Sequence, residues 1–385
     1  MKTYKLAHNI IDQKDIRRLC EWLNTNPQLT KGKLTLEFEK LWAQWIGTEY
    51  AVFVNSGSSA NLLMAYAVLL SGNLRNKKVI VPSVGWVTTI APFIQFGFEP
   101  IMCGAEEDSF GLNPEELERL LKRHKPGAVA LVQVLGVPSK MNEIMKLKKQ
   151  HDFLLLEDSC AAYGAEYGGR KIGSFGDLST FSFYFGHQLS TIEGGMVTTN
   201  NKKFYDLLLM LRSHGWGKDL DQRTRAALMK QHRINSFHKP FTFFVPGFNL
   251  RSTDLNAFLG IGQMRKADRT MAIRMRNHLL YAKSLKTVTF QKWSKESKPC
   301  SISFGALARS RDHRRRIVKA LDQRKIETRL FSAGNLGLHP FWTERFGVFH
   351  DKVSDRIHDC GFFLPNNESL SGRDTRFIAE VVNNA

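Results

Sequence analysis

Through the first two thirds of the chain, short apolar runs alternate with longer stretches that repeat at helical spacing. Val79-Ile-Val81, stopped by Pro82, predicts a buried strand. Ala128–Leu135 and Phe153–Leu156 predict two more, each about as long as a strand of a parallel sheet. Ala51–Val54 reads as a strand that leads through a Gly/Ser turn into a helix over Leu62–Leu70. Asn113 followed by Pro114 marks another helix start: the amide side chain accepts a first-turn N–H, and proline suits the first helical position. Glu143–Lys149 fits a helix before the third strand. Such alternation predicts an α/β sheet with crossover helices.

From about residue 263 the texture changes. Arg265–Lys286 is basic and helical, with Met271, Met275 and Leu279 four residues apart. A short strand over Ser301–Phe304, a helix over Arg311–Gln323 and a glycine-containing loop over Ser332–Gly337 follow. The pattern predicts a large α/β domain over 1–262 and a smaller α+β domain over 263–385.

Composition narrows the class. The chain has 385 residues, 43% of them hydrophobic and 24% charged, ordinary for a soluble globular protein. No apolar run is long enough to span a membrane, and the first residues lack a secretory apolar core, so a cytoplasmic protein is expected. Cys20, Cys103, Cys160, Cys300 and Cys360 are scattered, which predicts reduced thiols and disfavours a metal or iron–sulfur site. The net charge of +19 stands out. Its runs at Arg75–Lys78, Lys122–Lys125 and His313–Arg316 lie beside acidic residues and carry no interleaved aromatics. They read as solvated helix faces whose field attracts an anionic small substrate, not as a nucleic-acid surface.

Three patches carry candidate chemistry. The turn in Val54–Asn61 sets backbone N–H groups and hydroxyls where a phosphate can rest on a helix N-terminus. Leu154–Ser159 ends a strand in acidic residues, where Asp158 can keep a pyridine nitrogen protonated. Trp86, just past a strand end, can stack on an aromatic ring. Taken alone, the first reads better as a turn and N-cap, the second as a cap or surface charge, and the third equally well as a core tryptophan.

A fourth segment joins them. Thr180-Phe-Ser-Phe-Tyr-Phe-Gly-His-Gln-Leu-Ser-Thr-Ile-Glu-Gly-Gly-Met196 resembles the active-site strand and loop of the DegT/DnrJ/EryC1/StrS sugar aminotransferases, which use pyridoxal phosphate. Most of that family has a lysine where this chain has His187, and the lysine carries the cofactor covalently. An imidazole cannot. The resemblance runs from about residue 8 to the C-terminal region. It implies the pyridoxal phosphate fold type I, like aspartate aminotransferase, and a homodimer with a shared active site.

Position by position, it implies that Gly57, Ser58 and Ser182 bind phosphate, Trp86 stacks, and Asp158 faces the ring nitrogen. Asn249, in Pro246–Asp254, would reach the neighbouring subunit's phosphate, and His214 would contact substrate. Phe183–His187, Ser190–Gly195, Arg212–Trp216 and Ser332–Trp342 are similar to a branch with histidine at the lysine place, the 3-dehydratases of GDP-linked 4-keto-6-deoxymannose. Ala161 departs from the pattern, because relatives usually place Gln or Glu there near the cofactor's ring hydroxyl.

The chemistry implied follows from the imidazole. With an ordinary pKa near 6.5, His187 can move protons but cannot tether an aldehyde. The expected cofactor is then pyridoxamine phosphate held without a covalent bond, restored by glutamate, with His187 as the base in expelling the C3 hydroxyl. A sugar 4-aminotransferase is the first alternative. A non-catalytic protein of the same fold, regulatory or bound to nucleic acid, is the second.

Overall fold

The computed structural model describes residues 2–385. Its larger sheet has seven strands. Five are β1 (Tyr50–Val54), β2 (Lys78–Pro82), β3 (Glu99–Cys103), β4 (Ala128–Val132) and β5 (Leu154–Asp158). Leu178–Ser182 and Gly195–Thr199 lie between β5 and β1, so the order runs β1, 195–199, 178–182, β5, β4, β2, β3. All strands run parallel except Gly195–Thr199, which is antiparallel to both neighbours. Every residue of β4, 178–182 and 195–199 is buried, as expected of strands covered by helices on both faces.

One face packs around Phe38, Trp42, Tyr163, Phe181 and Phe183, the other around Leu63, Met64, Phe93, Phe204 and Leu208. The register sets Ser182 opposite Gly195 and Gly195 opposite Val54, with Asp158 opposite Thr180. The carboxyl ends of β1, 178–182 and β5 and the amino end of 195–199 therefore fall in one row, at the edge where open α/β sheets place their ligands.

The helix after β1 begins at Gly57, five residues before the sequence suggests, because Ser56 caps it by accepting from Ser59 N–H at 3.0 Å. Strand β4 stops at Val132 rather than Leu135. There Gln133 turns its side chain to accept from Ser139 N–H, and Leu135 enters the left-handed region at φ 52°.

The smaller unit is a four-stranded antiparallel sheet in the order Thr289–Phe290, Ser303–Leu307, Gly361–Pro365, Arg329–Leu330. Helices Ala267–Ser284, Arg311–Gln323 and Gly372–Asn383 carry side chains into its core. Along the first of these, Met271 is buried while Leu279 is half exposed. The N-terminal segment lies against this unit: Tyr4 bridges Ile326, packs on its core, and exchanges backbone hydrogen bonds with Lys325 and Glu327. No helix among the described residues is long and apolar enough to cross a membrane.

Candidate active site

A cavity of about 860 Å³ opens over the row of strand ends, and Gly57, Ser58, Trp86, Asp158, Ser182 and His187 all line it. Sequence positions more than a hundred residues apart thus meet on one wall.

At one end is the turn before the Gly57–Leu70 helix. Its first N–H groups have no intrahelical acceptor and its dipole favours an anion. Two close approaches shape the turn. A Cβ on Gly57 would come within 2.4 Å of Ser182 Cβ, and one on Gly195 within 2.1 Å of the Ser56 carbonyl oxygen. Only glycine lets Ser182 stand beside the helix start, so this end fits a phosphate group.

Asp158, from β5, lies deeper. Its Oδ2 accepts from Asn61 Nδ2 at 2.9 Å and Thr89 Oγ1 at 2.6 Å, and Oδ1 accepts from Cys160 N–H at 3.1 Å. Thr180 Oγ1 donates to Asn61 Oδ1 at 2.6 Å, which fixes the amide so that its nitrogen faces the carboxylate. The carboxylate is thereby immobilised with its charge directed at the cavity. Asn61 and Thr89 escape sequence reasoning. The only local signal for Asn61 is an amide side chain at the head of the apolar run Leu62–Leu70. Trp86 is 59% exposed, which removes the reading of it as a core tryptophan.

His187 stands on the loop 183–194, and several hydrogen bonds pin that loop. Phe183 N–H donates to Gly194 O, and Thr191 N–H to Phe183 O. The Tyr163 hydroxyl donates to Leu189 O at 3.0 Å and accepts from Leu189 N–H at 2.8 Å. Gln188 Nε2 donates to the carbonyls of Ala161 at 2.9 Å and Cys300 at 3.2 Å, clamping the loop to the segment after β5.

Burial, and then the positive charge of Arg274, lower the His187 pKa to about 4, against an opposing pull from the Cys160 backbone. The ring is neutral at neutral pH and can accept a proton. Its Nδ1 is buried without a hydrogen-bond partner, as are Gln188 Oε1 and Ser159 Oγ nearby. Orphaned polar atoms are uncommon in folded proteins, and of these three residues His187 lines the cavity. Among the described residues no lysine lines this cavity.

His214 and Asn249 are not on its wall. Both are exposed and lie together: Ser213 and Asn249 form a backbone bridge, and Arg251 reaches Asn249 Oδ1 at 3.0 Å and His214 Nε2 at 3.4 Å. Arg251 in turn bridges Val54, just before the Gly57 turn.

A glycine-lined helix start, a fixed carboxylate, an exposed indole and a neutral imidazole gather at the strand ends of this sheet, whose architecture is that of a pyridoxal phosphate fold type I protein. The chain belongs to the DegT/DnrJ/EryC1/StrS aminotransferase family, which it matches over residues 9–383. It is 31% identical over 391 residues to GDP-4-keto-6-deoxy-D-mannose 3-dehydratase of Escherichia coli O55:H7, covering 99% of this chain and 100% of that one. The E. coli GDP-4-keto-6-deoxy-D-mannose-3-dehydratase structure with bound hydrated PLP superposes with a TM-score of 0.90 at 26% identity, over 99% of this chain and 100% of that chain. A structure of GDP-4-keto-6-deoxymannose-3-dehydratase with a trapped PLP-glutamate geminal diamine gives 0.88 at 25% identity, over 98% and 100%.

Proposed function

We propose that the chain is a B6-dependent dehydratase that removes the C3 hydroxyl of a nucleotide-linked 4-keto-6-deoxy sugar of the GDP-4-keto-6-deoxymannose type. The observation that carries this reading is His187: a neutral imidazole in a cavity whose wall has no lysine. A protein so equipped can move protons on a bound sugar, but it has no amine to hold the cofactor aldehyde.

The lining residues fit the cofactor. Gly57, Ser58 and Ser182 would hold its phosphate, Trp86 would cover a ring face, and Asp158 would face the ring nitrogen. Pyridoxamine phosphate bound there supplies an amine that condenses with the C4 ketone and a protonated ring that draws electrons. His187 takes the proton whose loss starts the elimination, and its conjugate acid can deliver that proton to the departing hydroxyl. Water leaves with the C3–O bond. Glutamate, as amino donor, supplies the two electrons that convert C–OH to CH₂, leaving 2-oxoglutarate and ammonia.

The same reading makes the protein a cytoplasmic homodimer, with Asn249 of one protomer completing the phosphate site of its partner and His214 near the substrate. It divides the chain at 262/263, with the N-terminal segment riding on the smaller domain.

The test is incubation with pyridoxal phosphate, glutamate and GDP-4-keto-6-deoxymannose, read by mass spectrometry. Expected is a 3-deoxy-4-keto sugar with one 2-oxoglutarate and one ammonia per turnover. A 4-amino sugar that keeps its C3 oxygen would overturn the proposal in favour of an aminotransferase.

A further inference from the structure

We propose that Asn61 and Thr180 are positioning residues: they hold Asp158 as an anion with one oxygen turned to the cavity, and so keep the proton on the cofactor's ring nitrogen. This rests on the cofactor site proposed above.

The two oxygens of Asp158 are used unequally. Oδ2 accepts from Asn61 Nδ2 at 2.9 Å and from Thr89 Oγ1 at 2.6 Å, which occupies both of its acceptor sites. Among the described residues Oδ1 accepts from Cys160 N–H alone, at 3.1 Å, so one acceptor site on it is open. Asn61, Thr89 and Asp158 are all buried in the protein yet border the active cavity. A carboxylate in such a place is costly to keep charged unless donors surround it.

Thr180 decides that Asn61 is a donor. An amide can turn either its nitrogen or its oxygen to a neighbour. Thr180 stands opposite Asp158 on the adjacent strand 178–182, and its hydroxyl donates to Asn61 Oδ1 at 2.6 Å. The other acceptor within its reach, Glu157 O, lies farther off at 3.4 Å. A hydroxyl has one proton, so the amide oxygen is engaged and Nδ2 faces the carboxylate. Donation therefore runs one way, from Thr180 to Asn61 to Asp158. Thr180 is fully buried and off the cavity wall, so it acts on a ligand through Asn61.

The neighbouring ionisable groups do not compete for this role. The Cys160 thiol is pushed well above its ordinary pKa by burial, and then by the charge of Asp158, and stays neutral. Glu157 faces the other side of β5, where it accepts from the N–H groups of Phe175 at 2.8 Å and Gly176 at 2.6 Å. Ala161, also on the cavity wall, offers only a methyl group.

A ring nitrogen that meets Oδ1 shares one proton with it. Donors on Oδ2 favour the anion, which leaves the proton on the ring. Without them the proton moves to the carboxylate, and a neutral ring draws electrons poorly.

The experiment is nitrogen NMR, with absorbance, of pyridoxamine phosphate labelled at its ring nitrogen and bound to the full chain without substrate. The wild type should show a protonated ring at neutral pH. Asn61→Asp sets two carboxylates in contact; it should give a mostly neutral ring and slow turnover by about a hundredfold. Asn61→Leu should shift the ring in the same direction and slow turnover by about tenfold, the scale of one lost hydrogen bond to a charged group. Thr180→Val should show a smaller shift, and Thr180→Ser, which keeps the hydroxyl, the wild-type spectrum. The KM for the sugar should stay within about threefold throughout, because the change falls on the chemical step.

A ring that stays protonated in both Asn61 variants overturns the proposal, whatever their stability. Thr180→Val and Thr180→Ser with identical ring spectra overturn the part given to Thr180. A wild type that takes up no pyridoxamine phosphate overturns the proposal and the cofactor site together. Failure of the dehydratase reading alone looks different: the ring shifts as described, but the product is a 4-amino sugar.

Discussion

The two walls of the active cavity are built on opposite plans. On the large sheet, Asp158 has three donors, and the His187 loop is bonded at Phe183, Gln188, Leu189 and Thr191. On the small sheet, Ser303 and Phe363 of the two central strands share the wall with a two-residue edge strand that presents Arg329, a side chain without a hydrogen-bond or ion-pair partner among the described residues. Groups that must act on one atom are held in place in advance, which is where electrostatic and proton-transfer catalysis gains most. Groups that recognise a charged handle can be left to adjust around it. Substitutions on the rigid wall test whether its fixed geometry is what the chemistry needs.

The largest effect belongs to His187. Replacing it with Asn should abolish 3-deoxygenation, a loss of about 10³-fold or more, in keeping with removal of a general base. Cofactor affinity should stay within a few-fold, because the residues proposed to hold the phosphate and ring, Gly57, Ser58, Trp86, Asp158 and Ser182, lie outside the loop 183–194. Kinetics with the 4-keto sugar and absorbance titration with pyridoxal phosphate separate the two. His187→Lys should instead yield a yellow protein that borohydride reduction marks at position 187. A lysine elsewhere in the cavity carrying the mark would mean that the rigid wall is not the chemical one.

Next is the glycine turn at Gly57. Gly57→Ala forces a methyl to within 2.4 Å of Ser182 Cβ, backed by the strand itself. The cost should be about 2–3 kcal/mol of stability, as for overpacking in a rigid interior. Denaturant melts would give that figure, and pyridoxamine phosphate affinity should fall with it. A neutral outcome would show that Ser182 can move, and that this wall is softer than its hydrogen bonds suggest.

How much of this was readable beforehand depends on the distance over which each contact is made. The helix at Pro114–His124 is announced by its own cap and proline, and Arg311–Gln323 by its own periodicity. Asp158, Ser182 and His187 sit at ends of apolar runs, and the order of those runs is visible in the chain. Asn61 and Thr89 are not legible, because their bonds to Asp158 span 97 and 69 residues. Trp86 could be a core or a cavity residue until its exposure was known. The amide of Gln188 gains meaning only when the segment after β5 and Cys300 arrive beside it. His214 and Asn249 read as site residues by resemblance, yet in a single chain they lie off the wall, next to Arg251.

A pH experiment probes the cost of the rigid wall. In the folded chain the pKa of His187 is lowered to about 4 and that of His278 to about 3, in both cases chiefly by burial. Both are therefore depressed relative to an unfolded value near 6.5. Above that value both rings are neutral in both states, and their contribution to stability is fully present. As pH falls, the unfolded chain takes up protons first, so stability is lost from about pH 6.5 down through the folded values. His187→Asn should make this acid decline shallower, by up to about 1.4 kcal/mol per pH unit between pH 6 and 4 in the cofactor-free protein. Parallel curves for the two proteins would mean that the His187 ring is more solvated than its surroundings indicate.

The smallest effect tests whether the loop carries strain. Ile192 is a β-branched residue at φ 73°, half exposed at the turn of the His187 loop, where such side chains are rarely found. It is held there by its neighbours: Asn256 Nδ2 donates to the carbonyls of Thr191 at 2.6 Å and Glu193 at 3.1 Å, and Ile192 N–H donates to Ser190 Oγ at 3.0 Å. A left-handed conformation costs a non-glycine residue roughly 1–2 kcal/mol, while glycine gives back about 0.5–1 kcal/mol through its freer unfolded chain. Ile192→Gly should therefore raise stability by about 0.5–1 kcal/mol, visible as a small rise in Tm. If turnover falls while Tm rises, the strained turn serves to aim Glu193 and His187 at the cavity. If both rise together, the rigid wall owes its order to Asn256 and Gln188 alone, and the backbone at Ile192 is only tolerated.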